Sequence, residues 1–129
     1  MRARRALERI PYARLLGLEL AEDAGGLVCI LPFRDDLVGN AQLPALHGGV
    51  VGAFLELVAL LQLLESTDGE RVPKPINFSV SYLRSAGPRE SRGRAEIVKH
   101  GRRIANVRVI AWQDDPGRPV AAGVGNFLL

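Results

Sequence analysis

The sequence is poor in the residues that build disulfide frameworks and metal clusters. Its 129 residues include one cysteine, Cys29, and two histidines, His47 and His100. A single cysteine cannot form an intrachain disulfide, and these three residues do not stand at metal-ligand spacing. We therefore expect a cytoplasmic protein that uses neither a metal nor another cofactor.

Aromatic residues are scarce, and positive charge is only slightly in excess. The chain holds one Trp, two Tyr and four Phe, and its formal net charge is +3. Surfaces that bind nucleic acid combine basic patches with interleaved aromatic side chains, and the chain has no segment of that kind. It also has no Gly-x-Ser-x-Gly motif, which disfavours a serine hydrolase. We expect no nucleic-acid partner.

Long apolar runs are missing except for "LHGGVVGAFLELVALLQLL", residues 46–64, which Glu56 and Gln62 interrupt. A membrane span needs about 20 predominantly apolar residues, so this segment instead predicts a buried helix over about residues 49–65. The basic N-terminus lacks the hydrophobic stretch and small-residue cleavage site of a secretory signal. We expect no membrane partner.

Two elements are indicated before this helix. Apolar positions among arginines in residues 2–16 predict a short amphipathic helix that is interrupted at Pro11. Residues 18–33 contain two strand-like runs around Gly25-Gly26 and predict a hairpin. Residues 34–46 carry Gly, Asn and Pro and predict a loop that leads into the long helix.

Four strand-like segments with short turns follow the helix and predict an antiparallel meander. They are "INFSVSYL", "SRGRAEIVKHG", "RRIANVRVIAWQDD" and "RPVAAGVGNFLL". The sheet, with the hairpin, then has about six strands and one apolar face. A helix that is apolar nearly all round also needs to be enclosed, so we expect one α+β domain, residues 1–129, in which the sheet curls around a central helix. Surplus apolar surface and open sheet edges favour a homodimer.

The start of the long helix offers chemistry. Gly48 and Gly49 let another molecule approach backbone N–H groups that have no intrahelical partner, and the helix N-terminus favours negative charge. These groups are a candidate oxyanion hole. His47 could cap the helix, and the alternative is a capped helix start without a functional role.

Glu56 is unusual in so apolar a segment. Burying an ionised carboxylate costs several kcal/mol unless the group is paired or hydrated, which favours a functional role such as general base. The alternative is a structural carboxylate that faces a water-filled seam or an arginine. Glu56 lies about 12 Å along the helix from Gly48, further than its side chain reaches. Two antiparallel helices of a dimer could bring Glu56 of one subunit to Gly48 of the other.

At these residues the sequence resembles a known family. "NAQLPALHGGVVGAFLELVA" resembles the His-Gly-Gly signature of hotdog-fold acyl-CoA thioesterases, particularly the group related to the phenylacetate-pathway thioesterase, in which an acidic residue follows the His by nine positions. His47 and Glu56 have this spacing. The segments "LGLEL", "INFSVSYLRSA" and "EIVKHGRRIANVRVIAW" extend the resemblance over nearly the whole chain.

The resemblance implies a hotdog fold, a long helix wrapped by a curved antiparallel sheet, in dimers that often pair into tetramers. It implies that the Gly48 amide polarises the thioester carbonyl while Glu56 of the other subunit acts as general base or nucleophile. An Asn or Gln shortly before the His orients substrate or water in the family, and Asn40 and Gln42 are both candidates.

The sequence departs from the family pattern after the acid. Many relatives carry a Thr or Ser one or two turns later, where this chain has Leu60 and Leu63. The water that such a hydroxyl helps to hold would then depend on Asn40, Gln42 or Ser79.

Several basic residues are candidates for the phosphates of coenzyme A, because they fall at strand ends or turns. They are Arg84, Lys99, His100, Arg102 and Arg103, and the alternative for each is a solvated surface charge. Gly49 is also a candidate for contact with the substrate.

The resemblance therefore predicts an enzyme that hydrolyses an acyl-CoA to a free acid and coenzyme A. A non-catalytic hotdog protein that binds an acyl-CoA or an acyl carrier is the alternative, and Leu60 and Leu63 give it some weight. A hotdog dehydratase is a weaker third reading, because those enzymes usually arrange their His and acid differently.

Overall fold

The computed structural model describes residues 1–68 and 71–129. Its three helices are α1 (Arg2–Glu8), α2 (Pro11–Leu16) and α3 (Gly48–Ser66). Pro11 separates the first two, as predicted, because proline lacks the N–H that would continue α1 but suits the first turn of α2. The predicted long helix is confirmed and is extended by one residue at each end.

The strands form one large sheet and one small ribbon. They are β1 (Glu19–Asp23), β2 (Gly26–Leu31), β3 (Val38–Asn40), β4 (Ala45–Leu46), β5 (Lys74–Tyr82), β6 (Ser91–His100), β7 (Ile104–Trp112) and β8 (Ala121–Leu128). The six-stranded sheet has the order β1-β2-β6-β7-β8-β5, and β3 pairs with β4. All of these pairs are antiparallel.

The predicted hairpin is confirmed, and the predicted loop is partly wrong. β1 and β2 pair from Glu19 with Ile30 to Asp23 with Gly26, and Gly26 has φ +110° at the turn. Residues 34–46 contain a 3-10 helix, Asp35–Leu37, and the ribbon of β3 and β4. The strands of this ribbon have only three and two residues, too few to show an alternating hydrophobic pattern, and turn-forming residues dominate the segment.

The predicted four-strand meander is wrong in one respect. β6, β7 and β8 are adjacent in the sheet, but β5 pairs with β8 at the edge rather than with β6. The segment that connects β5 to β6 therefore crosses the end of the sheet. The crossing occupies residues 83–90, where Leu83 and Arg84 donate backbone hydrogen bonds to Val120 O. β5 is therefore an edge strand, whose second side has no neighbour within one chain's described residues.

The core lies between α3 and one face of the large sheet. Ten residues of α3 are buried, among them Phe54, Leu55 and Val58. Each large apolar side chain contributes about 1.5–3 kcal/mol when fully buried. Gly93 of β6 permits close packing, because a Cβ there would lie 2.8 Å from Val58 Cγ2. The predicted α+β hotdog arrangement, a six-stranded antiparallel sheet with a central helix, is confirmed.

Two features bear on the exposure of α3. By length and composition it would suffice to cross a membrane, since one window has a mean hydropathy of 1.7, yet over half of that window is buried inside the fold. Its C-terminal end is covered by α1, where Ala3 N–H donates to Glu65 Oε2 at 3.0 Å. Its N-terminal end is the more open one.

Candidate active site

His47 caps α3, as the sequence predicted. Its Nδ1 accepts a hydrogen bond from Gly49 N–H at 2.9 Å, while its carbonyl oxygen accepts from Val50 N–H at 3.0 Å and Val51 N–H at 3.2 Å. Because Nδ1 is the acceptor, the neutral imidazole carries its proton on Nε2. These hydrogen bonds stabilise the first turn, which begins with two glycines.

The N–H of Gly48 is directed away from the helix. As the first residue of α3, Gly48 has no carbonyl acceptor within the helix. In a trans peptide this N–H lies antiparallel to the His47 carbonyl, which is turned into the helix by its two hydrogen bonds. The donor therefore leaves along the end of α3, where the helix dipole adds partial positive charge.

Tyr82 is a site residue that sequence reasoning missed. Its hydroxyl donates to Gly48 O at 2.8 Å, and its ring lies beside the first turn of α3. The signal available in the sequence was its position at the end of β5 in phase with Phe78 and Val80, which predicts that it shares their face toward the helix. No local pattern indicates that its hydroxyl reaches a glycine 34 residues earlier.

A cleft of about 340 Å³ opens beside this helix end. Gly48 and Val51 line it from α3, Tyr82 from β5, and Arg84 from the crossing segment. Arg84 is held by a 2.7 Å hydrogen bond to Pro119 O. Arg84 also borders a second cleft of about 440 Å³ that Arg89 and Arg118 line. Arg89 is paired with Asp114, which lines the second cleft together with Asp115, so the backbone donor shares its surface with Arg84 and with charges of both signs.

The ribbon of β3 and β4 brings Asn40 to the same end of α3. A Cβ at Gly39 would lie 2.8 Å from His47 Cα, so the ribbon packs directly against the cap. Asn40 Oδ1 accepts from Gln42 N–H at 3.1 Å, which closes the turn and leaves the Asn40 amide N–H groups exposed. Gln42 lies on the same turn and is also exposed.

Glu56 lies on an accessible stripe of α3 rather than in the core. The stripe comprises Gly49, Gly52, Ala53 and Glu56, spaced for one helix face, and each is at least partly exposed. Within the described chain, the Glu56 carboxylate makes no hydrogen bond or ion pair. The expectation of a carboxylate enclosed by apolar groups is therefore not met in a single chain, and neither is the alternative of an arginine partner.

The accessible stripe ends directly after Glu56. Leu60 and Leu63 are 7% and 0% exposed and belong to the core. Ser79 alternates with Val80 on β5 and pairs with the exposed Val124, so it lies on the outer face of the sheet. The structure does not bring Ser79 to the cleft of its own chain.

The basic turn between β6 and β7 is distant from Gly48 within one chain. Tyr82 pairs with Ala121, which pairs with Ala111, and Ile104 lies seven residues further along β7, about 23 Å away. The turn borders another cleft, of about 560 Å³, on the outer face. Its candidate residues are Lys99, Arg102 and Arg103, with the exposed His100 beside them. Arg84 alone of the basic candidates lies at the Gly48 cleft.

The sequence matches a thioesterase family model, and the fold matches solved structures of related proteins. Residues 39–128 match the model of the acyl-CoA thioesterase N-terminal domain. A Chromobacterium violaceum protein is 39% identical, with 99% of this chain and 92% of that chain covered and a TM-score of 0.78. A candidate thioesterase, a phenylacetic acid degradation-related protein from Ralstonia eutropha, is 26% identical over the full length of both chains, with a TM-score of 0.82.

A more distant structure supports the fold. A Bacillus halodurans protein solved with CoA is 21% identical, with 98% of this chain and 85% of that chain covered and a TM-score of 0.80. No curated protein sequence matches the chain. The family match covers more than half of the residues and includes α3 and β5, which carry the candidate site. The chain belongs to the acyl-CoA thioesterase family.

Proposed function

We propose that this protein hydrolyses acyl-CoA thioesters at the N-terminal end of α3. The observation that carries the proposal is the Gly48 N–H, which has no acceptor in its helix and lies beside the cleft. A thioester carbonyl bound there accepts this hydrogen bond, and the bond strengthens as negative charge develops on the oxygen during attack.

Glu56 supplies the base or the nucleophile from a second subunit. Its distance of about 12 Å from Gly48 along α3 prevents both from acting on one carbon within a chain. Two antiparallel copies of α3 remove this difficulty, and the small residues Gly49, Gly52 and Ala53 allow such helices to approach closely. The dimer then contains two sites, each with Gly48 of one subunit and Glu56 of the other.

The surface around the site fits this dimer. Tyr82 of the edge strand β5 is 58% exposed and lies beside Gly48 and Gly52 of α3, and Ile76 of the same strand is 52% exposed. An open edge and an adjacent apolar face are both covered when a second copy binds there. Further pairing into a dimer of dimers would use the exposed outer face of the sheet.

The reaction needs only a water molecule besides the thioester. With Glu56 as general base, the carboxylate takes a proton from water as its oxygen attacks the carbonyl carbon. The oxyanion of the tetrahedral intermediate accepts a hydrogen bond from the Gly48 N–H. The intermediate then collapses and expels the coenzyme A thiolate, which takes up a proton. With Glu56 as nucleophile, its carboxylate oxygen attacks the thioester carbon and the C–S bond breaks, which gives an acyl-enzyme anhydride and a coenzyme A thiolate that takes up a proton; water then cleaves the anhydride to the free acid and the Glu56 carboxylate.

The neighbouring polar residues have supporting roles. Asn40 has free amide N–H groups on the ribbon that packs against His47, so it orients the carbonyl or the water more directly than Gln42 does. Ser79 could act only from another chain, because it lies on the outer face of β5. Gly49 contributes its small size, since its own N–H is bonded to His47.

The phosphates of coenzyme A are assigned to Arg84, because it borders the cleft at Gly48. The basic turn with Lys99, His100, Arg102 and Arg103 would reach a site only from another subunit. We expect Arg84→Ala to raise KM for an acyl-CoA about tenfold while leaving KM for the matching acyl-N-acetylcysteamine, which lacks phosphates, within twofold. Equal effects on both substrates would contradict this assignment, and Arg103→Ala tests the turn in the same way.

The alternative function is a hotdog protein that binds an acyl-CoA or acyl carrier without cleaving it. Two observations favour it: Leu60 and Leu63 are buried where the family resemblance implies a hydroxyl, and Glu56 has no side-chain partner among the described residues. A cytoplasmic location is proposed for either function, because over half of the apolar window of α3 is buried inside the fold.

The test is a panel of acyl-CoA substrates assayed with the wild type, Glu56→Gln and Glu65→Gln. Glu65 is the matched control, because it lies on the same helix and its amide variant can still accept the Ala3 N–H. We expect Glu56→Gln to lose at least 10²-fold in kcat and Glu65→Gln to retain it. Tight binding without turnover by the wild type would favour the alternative, and an active Glu56→Gln enzyme would exclude the proposed role.

A further inference from the structure

Tyr82 holds the peptide unit next to the proposed oxyanion donor. Its hydroxyl donates to Gly48 O at 2.8 Å, and this carbonyl belongs to the peptide between Gly48 and Gly49. The N–H of the same peptide donates to His47 Nδ1 at 2.9 Å. One side chain therefore fixes each polar end of this peptide.

Such fixation is needed because the two residues are glycines. Glycine has the widest range of accessible φ and ψ, so a Gly-Gly pair at a helix end samples several backbone conformations unless other groups hold it. Rotation about the Gly48 φ and ψ angles changes the direction of the Gly48 N–H relative to the cleft. A misplacement of about 1 Å in an active site can cost about 10²-fold in rate, so the direction of this donor matters for the transition state.

Packing does not account for Tyr82. The residue is 58% exposed, while Phe78 on the same face packs against the fully buried Phe127. Its hydroxyl nevertheless has a matching space on α3, because a Cβ at Gly52 would lie only 3.1 Å from Tyr82 Oη. The glycine at position 52 thus leaves room for the hydroxyl to reach Gly48 O.

We propose that Tyr82 is a positioning residue for the oxyanion donor: its hydrogen bond to Gly48 O directs the Gly48 N–H at the thioester carbonyl. The hydroxyl, the peptide and His47 form one connected chain of hydrogen bonds, in which each bond polarises the next. The inference rests on the proposed function of Gly48. It assigns to Tyr82 no contact with the substrate's reacting atoms.

The test compares Tyr82→Phe with Tyr12→Phe, the same change at the chain's other tyrosine, which is exposed on α2. Removing an oxyanion donor costs about 10²–10³-fold in kcat. A donor that is still present but no longer held in direction should therefore cost less, about tenfold. We expect Tyr82→Phe to lower kcat about tenfold with KM within twofold, and Tyr12→Phe to change neither. Thermal unfolding checks that both variants remain folded.

Two non-hydrolysable ligands separate positioning from general damage to the site. A ketone analogue, with CH2 in place of the thioester sulfur, keeps the carbonyl, and a thioether analogue, with CH2 in place of the carbonyl, lacks it. We expect Tyr82→Phe to weaken the ketone about tenfold relative to the thioether. Unchanged kcat, or equal weakening of both ligands, would overturn the inference.

Gly52→Ala provides an independent perturbation, because its methyl group crowds the hydroxyl without removing it. Alanine favours the helix, so we expect a thermal midpoint at or above that of the wild type together with a lower kcat. Added to Tyr82→Phe, the substitution should lower kcat no further, since the hydroxyl is already gone. Multiplying effects, in a double variant whose oligomeric state by size-exclusion chromatography equals that of Tyr82→Phe, would contradict the proposed route.

The outcomes also separate this inference from the proposed function. A wild-type protein that hydrolyses no acyl-CoA contradicts the proposed function, yet the ketone-to-thioether ratio still reports on the Gly48 donor. A wild-type enzyme that hydrolyses acyl-CoA but is unaffected by Tyr82→Phe keeps the function and refutes the positioning role.

Discussion

Gly48→Pro should remove the proposed oxyanion donor with little change elsewhere. Gly48 is the first residue of α3, where proline is well tolerated because no intrahelical hydrogen bond is lost. His47, with φ −61° and ψ 133°, already has the extended conformation that a residue before proline requires. Gly48 has no positive φ, and a Cβ there would lie at an ordinary 3.5 Å from Tyr82 Cε1.

The expected effects on stability and on catalysis are therefore very different. Replacing glycine by proline at a compatible position changes the free energy of unfolding by about 1 kcal/mol or less, and often favourably. The loss of one oxyanion donor lowers kcat by about 10²–10³-fold, which corresponds to ~2.7–4 kcal/mol of transition-state stabilisation. A folded, nearly inactive enzyme is the predicted result.

The assay measures kcat and KM for an acyl-CoA by thiol release, with unfolding by denaturant in parallel. Gly48→Ala is the matched control, because it adds a side chain but keeps the N–H, and we expect its kcat to stay within a few-fold of the wild type. A Gly48→Pro variant with wild-type kcat would refute the oxyanion role of this amide. Equal losses in both variants would indicate crowding of the cleft instead.

Three further predictions follow from the structure. Mixing Gly48→Pro with Glu56→Gln, each nearly inactive alone, should restore about a quarter of wild-type activity, because half of randomly mixed dimers hold one intact site; no recovery after subunit exchange would argue against sites shared between chains. The hydrogen bond from Arg94 holds the pKa of Asp23 below its ordinary 3.8, aided by the Gly25 N–H, so stability from this carboxylate is present above that pKa and is lost as pH falls through the lower folded value. Asp23→Asn should therefore lower the denaturant midpoint at pH 7 and leave it unchanged in strong acid. Burial raises the pKa of Cys29 to about 12, so the thiol should resist a disulfide reagent at pH 8 until denaturant is added, and stability should fall between pH 9 and 12 as the unfolded thiol ionises first.

Local patterns in the sequence were sufficient for the helices and the first hairpin. The hairpin depends on Gly25-Gly26 between two apolar runs, and the break at Pro11 depends on a missing N–H, so both causes lie within a few residues of their effects. The order of the sheet was not predictable in this way. β5 lies beside β8 because of pairing between residues more than 38 positions apart, and turns of similar length serve a meander or a crossing equally well.

The candidate site shows the same division. The cap at His47 and the unpartnered Gly48 N–H depend on neighbouring residues, and the sequence predicted both positions. Tyr82 was missed, because its contact with Gly48 exists only once β5 is at the edge and its inward face meets the start of α3. The sequence does not distinguish the basic candidates from one another, and only the fold separates Arg84 from the turn at the far end of β7.

The position of Glu56 follows from the pattern of exposure along α3. In the first half of the helix one face carries the small residues Gly49, Gly52 and Ala53, which leave the space that the proposed dimer requires. Leu60 closes this face one turn after the acid. Glu56 is thus the last residue of the accessible stripe. A carboxylate one turn later, at the position of Leu60, would be buried at a cost of several kcal/mol.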